Sequence, residues 1–200
     1  MVDTYQMVIC GVGGQGILTI SDILTIAAQT KGLHVLGSEV HGMAQKGGSV
    51  VTNLKIGEEL NSPTIPVGTG KVLVGLEQNE TLRYIKYVKP GGTVITSETV
   101  LFPISWKKDK AAADKAREKI REDLDKFEAR VYFDAEGLAN EAGLSLAQNT
   151  VLLGALSQVE GFPITEDELR DALKIRVPAK YLDSNLRAFE LGKNAVKKNI

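Results

Sequence analysis

The chain has 200 residues, 43% of them hydrophobic and 24% charged, with a net charge of −1 and a single cysteine, Cys10. That is the composition of a globular chain able to bury a substantial core, without the field that would recruit nucleic acid or an anionic membrane. One cysteine excludes an internal disulfide and any cysteine-ligated cluster or zinc site built by one copy; with no membrane-length apolar run and no leader-like N-terminus, a reducing cytoplasm is the expected compartment.

Residues 2–10 mix β-branched and apolar side chains and predict a short buried strand, with Cys10 as a small core residue at its end. Gly11-Val-Gly-Gly-Gln-Gly16 interrupts it, and residues 17–29 resume with apolar positions at helical spacing. Strand, glycine loop and helix are the context in which G-x-G-x-x-G carries meaning. Gly11 would allow the turn off the strand, Gly13 the approach of an anion to the backbone, and Gly16 close packing of helix on strand. The free N–H groups and dipole of the helix start favour negative charge there. The alternative is a tight strand-to-helix turn that needs small residues and binds nothing.

Lys31-Gly32 stops the helix and residues 33–38 read as a second strand, giving a βαβ unit with parallel strands and a right-handed crossover. His34 is expected at an exposed edge. Ser38-Glu-Val-His-Gly-Met-Ala-Gln-Lys-Gly-Gly-Ser49 is too polar and too glycine-rich for a core element. It starts at the same sheet edge as the glycine loop, where open α/β sheets collect ligands. Glu39, His41, Gln45, Lys46, Gly47, Gly48 and Ser49 are therefore candidates to face that loop; the bland reading is a solvated turn.

Residues 49–56 alternate like a half-buried, antiparallel strand. A turn-rich loop, a short apolar strand at 71–76 and a helix at 77–88 follow. Lys89-Pro-Gly-Gly92 breaks that helix before a strand at 93–96. Residues 97–106 are irregular, with Leu101, Phe102, Ile104 and Trp106 expected to cap the core. Residues 107–127 predict a solvated helix with one narrow stripe: Ala112, Ala113, Ala116, Ile120, Leu124 and Phe127. A last strand at 130–133 and a short helix at 134–142 precede an apolar stretch, 144–159, that must be buried in the core or against a partner. Thr165-Glu-Asp-Glu168 is a capping box, Val177-Pro178 a break, and 181–198 a terminal helix with Leu182, Leu186 and Phe189 on one side.

No H-x-x-x-H, C-x-x-C, G-x-S-x-G or P-loop is present, and the carboxylates show no pairing suited to hydrolysis. His41 with Glu39 is the one pair whose spacing suits proton transfer. Glu39 also lies where a dinucleotide-binding fold holds a ribose hydroxyl, so a stand-alone NAD(P)-dependent oxidoreductase and a nucleotide-binding module without catalysis both stay open.

The pair of motifs, Gly11 to Gly16 followed by Ser38 to Ser49, resembles the gamma-type domain of the 2-oxoacid:ferredoxin oxidoreductases, above all its small (beta) subunits acting on indolepyruvate. The likeness covers nearly the whole chain and is strongest over residues 5–96; residues 99–130 carry no motif. It implies an α/β fold, a Rossmann-like three-layer open sheet, mostly parallel, with a helical C-terminal part: one domain over 1–200, with an α/β core at 1–134 and helices at 135–200. It implies an accessory subunit of a thiamine-diphosphate-dependent enzyme that turns an aryl-2-oxoacid such as indolepyruvate, coenzyme A and oxidised ferredoxin into an acyl-CoA, carbon dioxide and reduced ferredoxin. Thiamine diphosphate, Mg²⁺ and iron–sulfur clusters would sit on a large (alpha) partner subunit, coenzyme A would be the co-substrate, and ferredoxin would be reached through the hetero-oligomer. The cofactor-binding wall expected of this chain is Gly11, Gly13, Gly14, Gln15, Gly16, Glu39, His41, Gln45, Gly47, Gly48 and Ser49, with no catalytic and no metal-ligating residue of its own.

Overall fold

The computed structural model describes residues 4–43, 47–102, 110–127 and 129–199. Six strands form one sheet: β1 (Tyr5–Val12), β2 (His34–His41), β3 (Ser49–Gly57), β4 (Gly70–Gly75), β5 (Val88–Ser97) and β6 (Arg130–Phe133), in the order β2-β3-β1-β4-β5-β6. β1, β4, β5 and β6 pair in parallel, while β3 is antiparallel to both of its neighbours, β1 and β2. The sheet is thus mostly parallel, as expected, but the simple βαβ reading needs correction. β2 runs in the direction of β1 without touching it, because β3 lies between them. A connection as short as residues 42–48 makes a hairpin and cannot make a crossover.

Helices cover both faces. α1 (Ile17–Thr30), α4 (Ala135–Glu141), α5 (Gln148–Leu156), α6 (Glu166–Arg176) and α7 (Ala179–Asn199) build the larger layer. Their apolar faces join Met7, Ile9, Val72, Val74 and Ile95 of the sheet in one core. The helices beyond residue 134 therefore share the core of the β1–α1 unit. α2 (Gln78–Tyr84), the short 3-10 turn Ile85–Tyr87 and α3 (Lys110–Leu124) belong to the opposite side, where Tyr84, Ile85 and Phe127 pack with Val8, Cys10, Val51, Leu73 and Val94.

The reason α5 is apolar beyond its first three residues is now visible: each of its nine residues is buried within the chain itself. Its crossing with α7 is very close. A Cβ on Gly154 would meet the Phe189 carbonyl oxygen at 2.0 Å, and one on Gly192 the Val151 carbonyl oxygen at 1.8 Å. The capping box forms as expected, with Glu168 N–H donating to the Thr165 hydroxyl and Thr165 N–H to the Glu168 carboxylate. On α3 only Ile120 and Leu124 of the expected stripe are buried. Ile104 and Trp106, expected to cap the core, fall outside the described residues, and Leu101 is half exposed.

α1 leaves β1 on one face and α2 leaves β4 on the other. The sheet therefore changes winding direction between β1 and β4, opening a crevice beyond their carboxyl ends.

Candidate functional site

At that edge the chain leaves β1 through Gly13 and Gly14 and enters α1 at Gly16. Gly14 (φ 101°) and Gly16 (φ 84°) are left-handed, a conformation side chains resist. The two glycine-dense turns are joined through their main chains. Gly13 N–H donates to the Gly48 carbonyl at 2.8 Å and Gly47 N–H to the Gly13 carbonyl at 3.3 Å, which extends the β1–β3 pairing past its last strand residues. Between the turns lies a cavity of about 580 Å³, lined by Gly13, Gly14, Gly16, Ile17, Leu18, His41, Gly42 and Val50.

Of the residues singled out by sequence, Gly13, Gly14, Gly16 and His41 line this cavity. Glu39 stands beside His41 on β2, with its Oε2 3.4 Å from the His41 Nε2 and both side chains exposed. Gly47 and Gly48 fasten the second turn to the first. Gln45 and Lys46 lie outside the described residues. Glu39 is separated from β1 by the whole of β3, about two strand spacings, so it is not at the neighbouring-strand position from which a dinucleotide ribose is held.

Three glycine-motif residues do something other than expected. Gly11 remains inside β1, opposite Val50, and its missing side chain makes room for the Gln15 amide and for Leu76. The close packing that Gly16 permits is against Asn149 of α5, whose amide nitrogen a Cβ would meet at 2.5 Å. Gln15 turns inward: its Oε1 accepts from Val12 N–H at 2.9 Å and its Nε2 donates to the Leu76 carbonyl at 3.1 Å, bridging the crevice between β1 and β4.

Ser49 is also engaged within the chain. Its hydroxyl donates to the Glu80 carboxylate at 2.5 Å and lies 3.3 Å from the Tyr84 hydroxyl, tying the base of the second turn to α2. Arg83 pairs with the buried Glu80. Glu77, 1% exposed, caps α2 and accepts from the N–H groups of Glu80 and Leu101 and from the Asn79 amide. Burial, only partly offset by those donors, holds its carboxyl above the usual range. Burial also pushes the Cys10 thiol well up, with the Glu80 and Glu77 charges acting in the same direction. Cys10 is thus the inert core residue expected of it.

Sequence reasoning missed Glu77, Glu80, Gln148 and Asn149, all of which support this edge. Polar residues heading an apolar helix, as Gln148, Asn149 and Thr150 do, were the available signal, since buried polar groups need partners.

After these internal bonds, the N–H groups of Gly14, Gly16, Ile17, Leu18 and Thr19 carry no hydrogen bond among the described residues, and the first turn of α1 contains no acid. This is the electrostatic profile of an anion site. Leu18, in the lining of the cavity, is an exposed apolar side chain, as are Val40, Met43, Leu101 and Leu146. Among the described residues no three His, Cys, Asp or Glu side chains group as a metal site would require, and no helix is long and apolar enough to cross a membrane.

A family model described as pyruvate ferredoxin/flavodoxin oxidoreductase matches residues 6–195. The chain is 44% identical over 197 residues to the indolepyruvate oxidoreductase subunit IorB of Thermococcus kodakarensis, covering 96% of each. It is 40% identical over 194 residues to the subunit of the same name from Pyrococcus horikoshii, again covering 96% of each. In fold it is similar to the gamma subunit of a keto/oxoacid ferredoxin oxidoreductase from Geobacter sulfurreducens, with a TM-score of 0.71 at 20% identity over 97% of this chain and 99% of that one.

Proposed function

The chain belongs to the pyruvate ferredoxin/flavodoxin oxidoreductase family, and we propose that it is the small, noncatalytic subunit of a heteromeric indolepyruvate:ferredoxin oxidoreductase. The reaction is the oxidative decarboxylation of an aryl-2-oxoacid to its acyl-CoA, with the electrons passed to ferredoxin. Thiamine diphosphate supplies the carbanion chemistry in such an enzyme and iron–sulfur clusters carry the electrons. The residues of this chain do not fit either group: its single thiol is buried in the core and cannot ligate a cluster, and its sequence has no G-D-G segment with a downstream asparagine to hold Mg²⁺ and a diphosphate. Both groups, and Mg²⁺, belong to the large subunit, and the assembled enzyme works in the cytoplasm.

The small subunit contributes one wall of the composite active site. The observation that carries this reading is the main-chain junction of Gly13 with Gly47 and Gly48, which sets two glycine turns around one cavity at the carboxyl end of β1, on its β3 side. The unbonded N–H groups of Gly14, Gly16 and the first turn of α1 hold an anion, which we assign to a coenzyme A phosphate. His41, steadied by Glu39, closes the cavity from the β2 side. Gly11, Gln15 and Ser49 shape the wall through their contacts within the chain. The exposed Leu18, Met43, Leu101 and Leu146 meet the large subunit.

Gly14→Val tests the assignment: its side chain meets nothing within 4 Å in the chain, but valine resists the left-handed backbone at φ 101°, so the turn must shift and withdraw its N–H groups from the cavity. In the two-subunit complex the apparent KM for coenzyme A should rise about tenfold, the worth of one or two charge-assisted hydrogen bonds. Complex formation should persist. Unchanged turnover and an unchanged coenzyme A dependence would overturn the phosphate assignment, and activity of the isolated chain would overturn the subunit reading.

A further inference from the structure

We propose that two copies of this chain pair through β2, antiparallel about a two-fold axis that sets Ser38 of one copy against Ser38 of the other. β2 is an edge strand of eight residues that pairs with β3 along its whole length. Among the described residues no hydrogen bond reaches its other side. Native edges are usually blunted by lysine, proline, a bulge or shortness. The opposite edge of this sheet is blunted, since β6 has only four residues. β2 has no lysine, no proline and no register shift, and its one carboxylate, Glu39, falls opposite Gly37 in the pairing proposed.

The bonding pattern fixes which groups face outward. Gly42 N–H donates to the Ser49 carbonyl, so the even-numbered residues of β2 exchange bonds with β3. Val35, Gly37, Glu39 and His41 therefore turn their N–H and C=O groups away from the sheet. In a two-fold antiparallel pair, opposed residues share a face and outward-bonding residues must oppose one another. An axis at Ser38 meets every condition. Val35 then bonds His41 of the second copy and Gly37 bonds Glu39. Leu36 opposes Val40 twice, in the close non-bonded positions on either side of the Ser38 pair.

That register covers Val40, which is 58% exposed in the single chain, with an apolar neighbour and opposes no like charges. Moving the axis to Glu39 would set two carboxylates face to face. Moving it to Gly37 would oppose Val35 to Glu39 and His34 to Val40. Because the paired strands run oppositely, the two glycine-lined cavities end up at opposite ends of a continuous twelve-stranded sheet. Each keeps its own opening for a large subunit.

Cysteine cross-linking tests the register directly, since Cys10 is buried and silent. The full chain carrying Ser38→Cys should oxidise to a disulfide-linked dimer, the opposed Cα atoms lying about 4.5 Å apart in a non-bonded pair. His34→Cys, which the register sets against Gly42, should not. The unsubstituted chain should sediment as a dimer of the 21.6 kDa protomer. Gly37→Pro removes an outward N–H without touching a bond to β3 and should weaken association at least about tenfold. Its circular dichroism should be unchanged; if that variant fails to fold, the Ser38→Cys result decides. A chain monomeric both alone and within the two-subunit complex overturns the proposal, as does a His34→Cys variant that cross-links as readily as the Ser38→Cys variant. Capture of the large subunit by the Ser38→Cys variant, in place of a second copy, also overturns it and gives the edge to that subunit.

Discussion

Gln15 and Gln148 donate their side-chain amides to one carbonyl oxygen, that of Leu76, each at 3.1 Å. Gln15 belongs to the glycine loop after β1 and Gln148 to the first turn of α5, while Leu76 directly follows β4. The crevice between β1 and β4 is thus closed from both sides by one shared acceptor, with Gln148 also donating to the hydroxyls of Ser97 and Thr99.

A double-mutant cycle should expose the sharing. Gln15→Leu or Gln148→Leu alone leaves the Leu76 carbonyl with one donor, so each single change should cost about 1–2 kcal/mol. Together they orphan a buried acceptor, and the pair should cost at least about 1 kcal/mol more than the sum of the singles. Urea unfolding of the four proteins measures this; additive costs would mean that the two bonds do not share a load.

The α5–α7 crossing makes a prediction of unusual sign. An alanine in place of glycine in a helix interior normally stabilises by up to about 1 kcal/mol. Gly154→Ala and Gly192→Ala instead drive a methyl into the main chain of the other helix, at 2.0 and 1.8 Å from carbonyl oxygens. Each should destabilise by about 2 kcal/mol or more, read from the urea midpoint at constant slope. Stabilisation by either would show that the helices can separate at no cost.

Tyr5 presents the converse case. Its hydroxyl is buried and finds no hydrogen-bond partner among the described residues, and burial alone raises its pKa far above the ordinary tyrosine value. The ring itself is well used, edge-on to Phe162 at 5.4 Å with the Lys71 ammonium 5.3 Å from its centroid. Tyr5→Phe keeps the ring and removes the orphaned oxygen. The variant should gain about 1 kcal/mol, a rise in Tm of about 2–4 °C. A lower Tm would reveal a partner for the hydroxyl.

How much of this was legible in the sequence depends on the range of the cause. The helix boundaries that rest on local chemistry, the Thr165 capping box and the break at Pro178, could be read directly. So could the burial of α5, because a helix apolar nearly all round has no solvent face to offer. The meeting of the two glycine turns was legible too, since both end strands that run to the same sheet edge. The insertion of β3 between β1 and β2 was not, because a glycine-rich stretch reads alike whether it is a ligand loop or a hairpin turn. Gly11 was misread for a related reason: the fingerprint presumes a turn, whereas here the glycine serves Gln15 and Leu76 from within a strand. The bonds of Gln148 to Leu76 and of Ser49 to Glu80 join segments far apart in the chain and leave no local mark.

Glu77 couples the same edge to pH. Burial is the main cause of its raised pKa, with the neighbouring Glu80 adding to it and the N–H groups of Leu101 and Glu80 and the Asn79 amide pulling it back. The folded carboxyl therefore keeps its proton to higher pH than the unfolded one, whose ordinary value is 4.5. Below that value both states are protonated and the stability contributed by the group is fully present. As pH rises past it the unfolded chain releases the proton first, so this contribution falls until the folded carboxyl has ionised as well. Glu166 acts in the opposite sense, because its bond from Lys193 holds its carboxyl below the usual range and its contribution is lost on acidification. Whole-protein stability mixes the two, and comparison with Glu77→Gln separates them. Unfolding free energies of the two proteins, measured in urea from about pH 4 to about pH 8, should differ most in favour of the natural chain at the acid end. That advantage should shrink steadily as pH rises and then level off. An advantage that grows with pH would mean that the three donors outweigh burial and that Glu77 is held as a carboxylate.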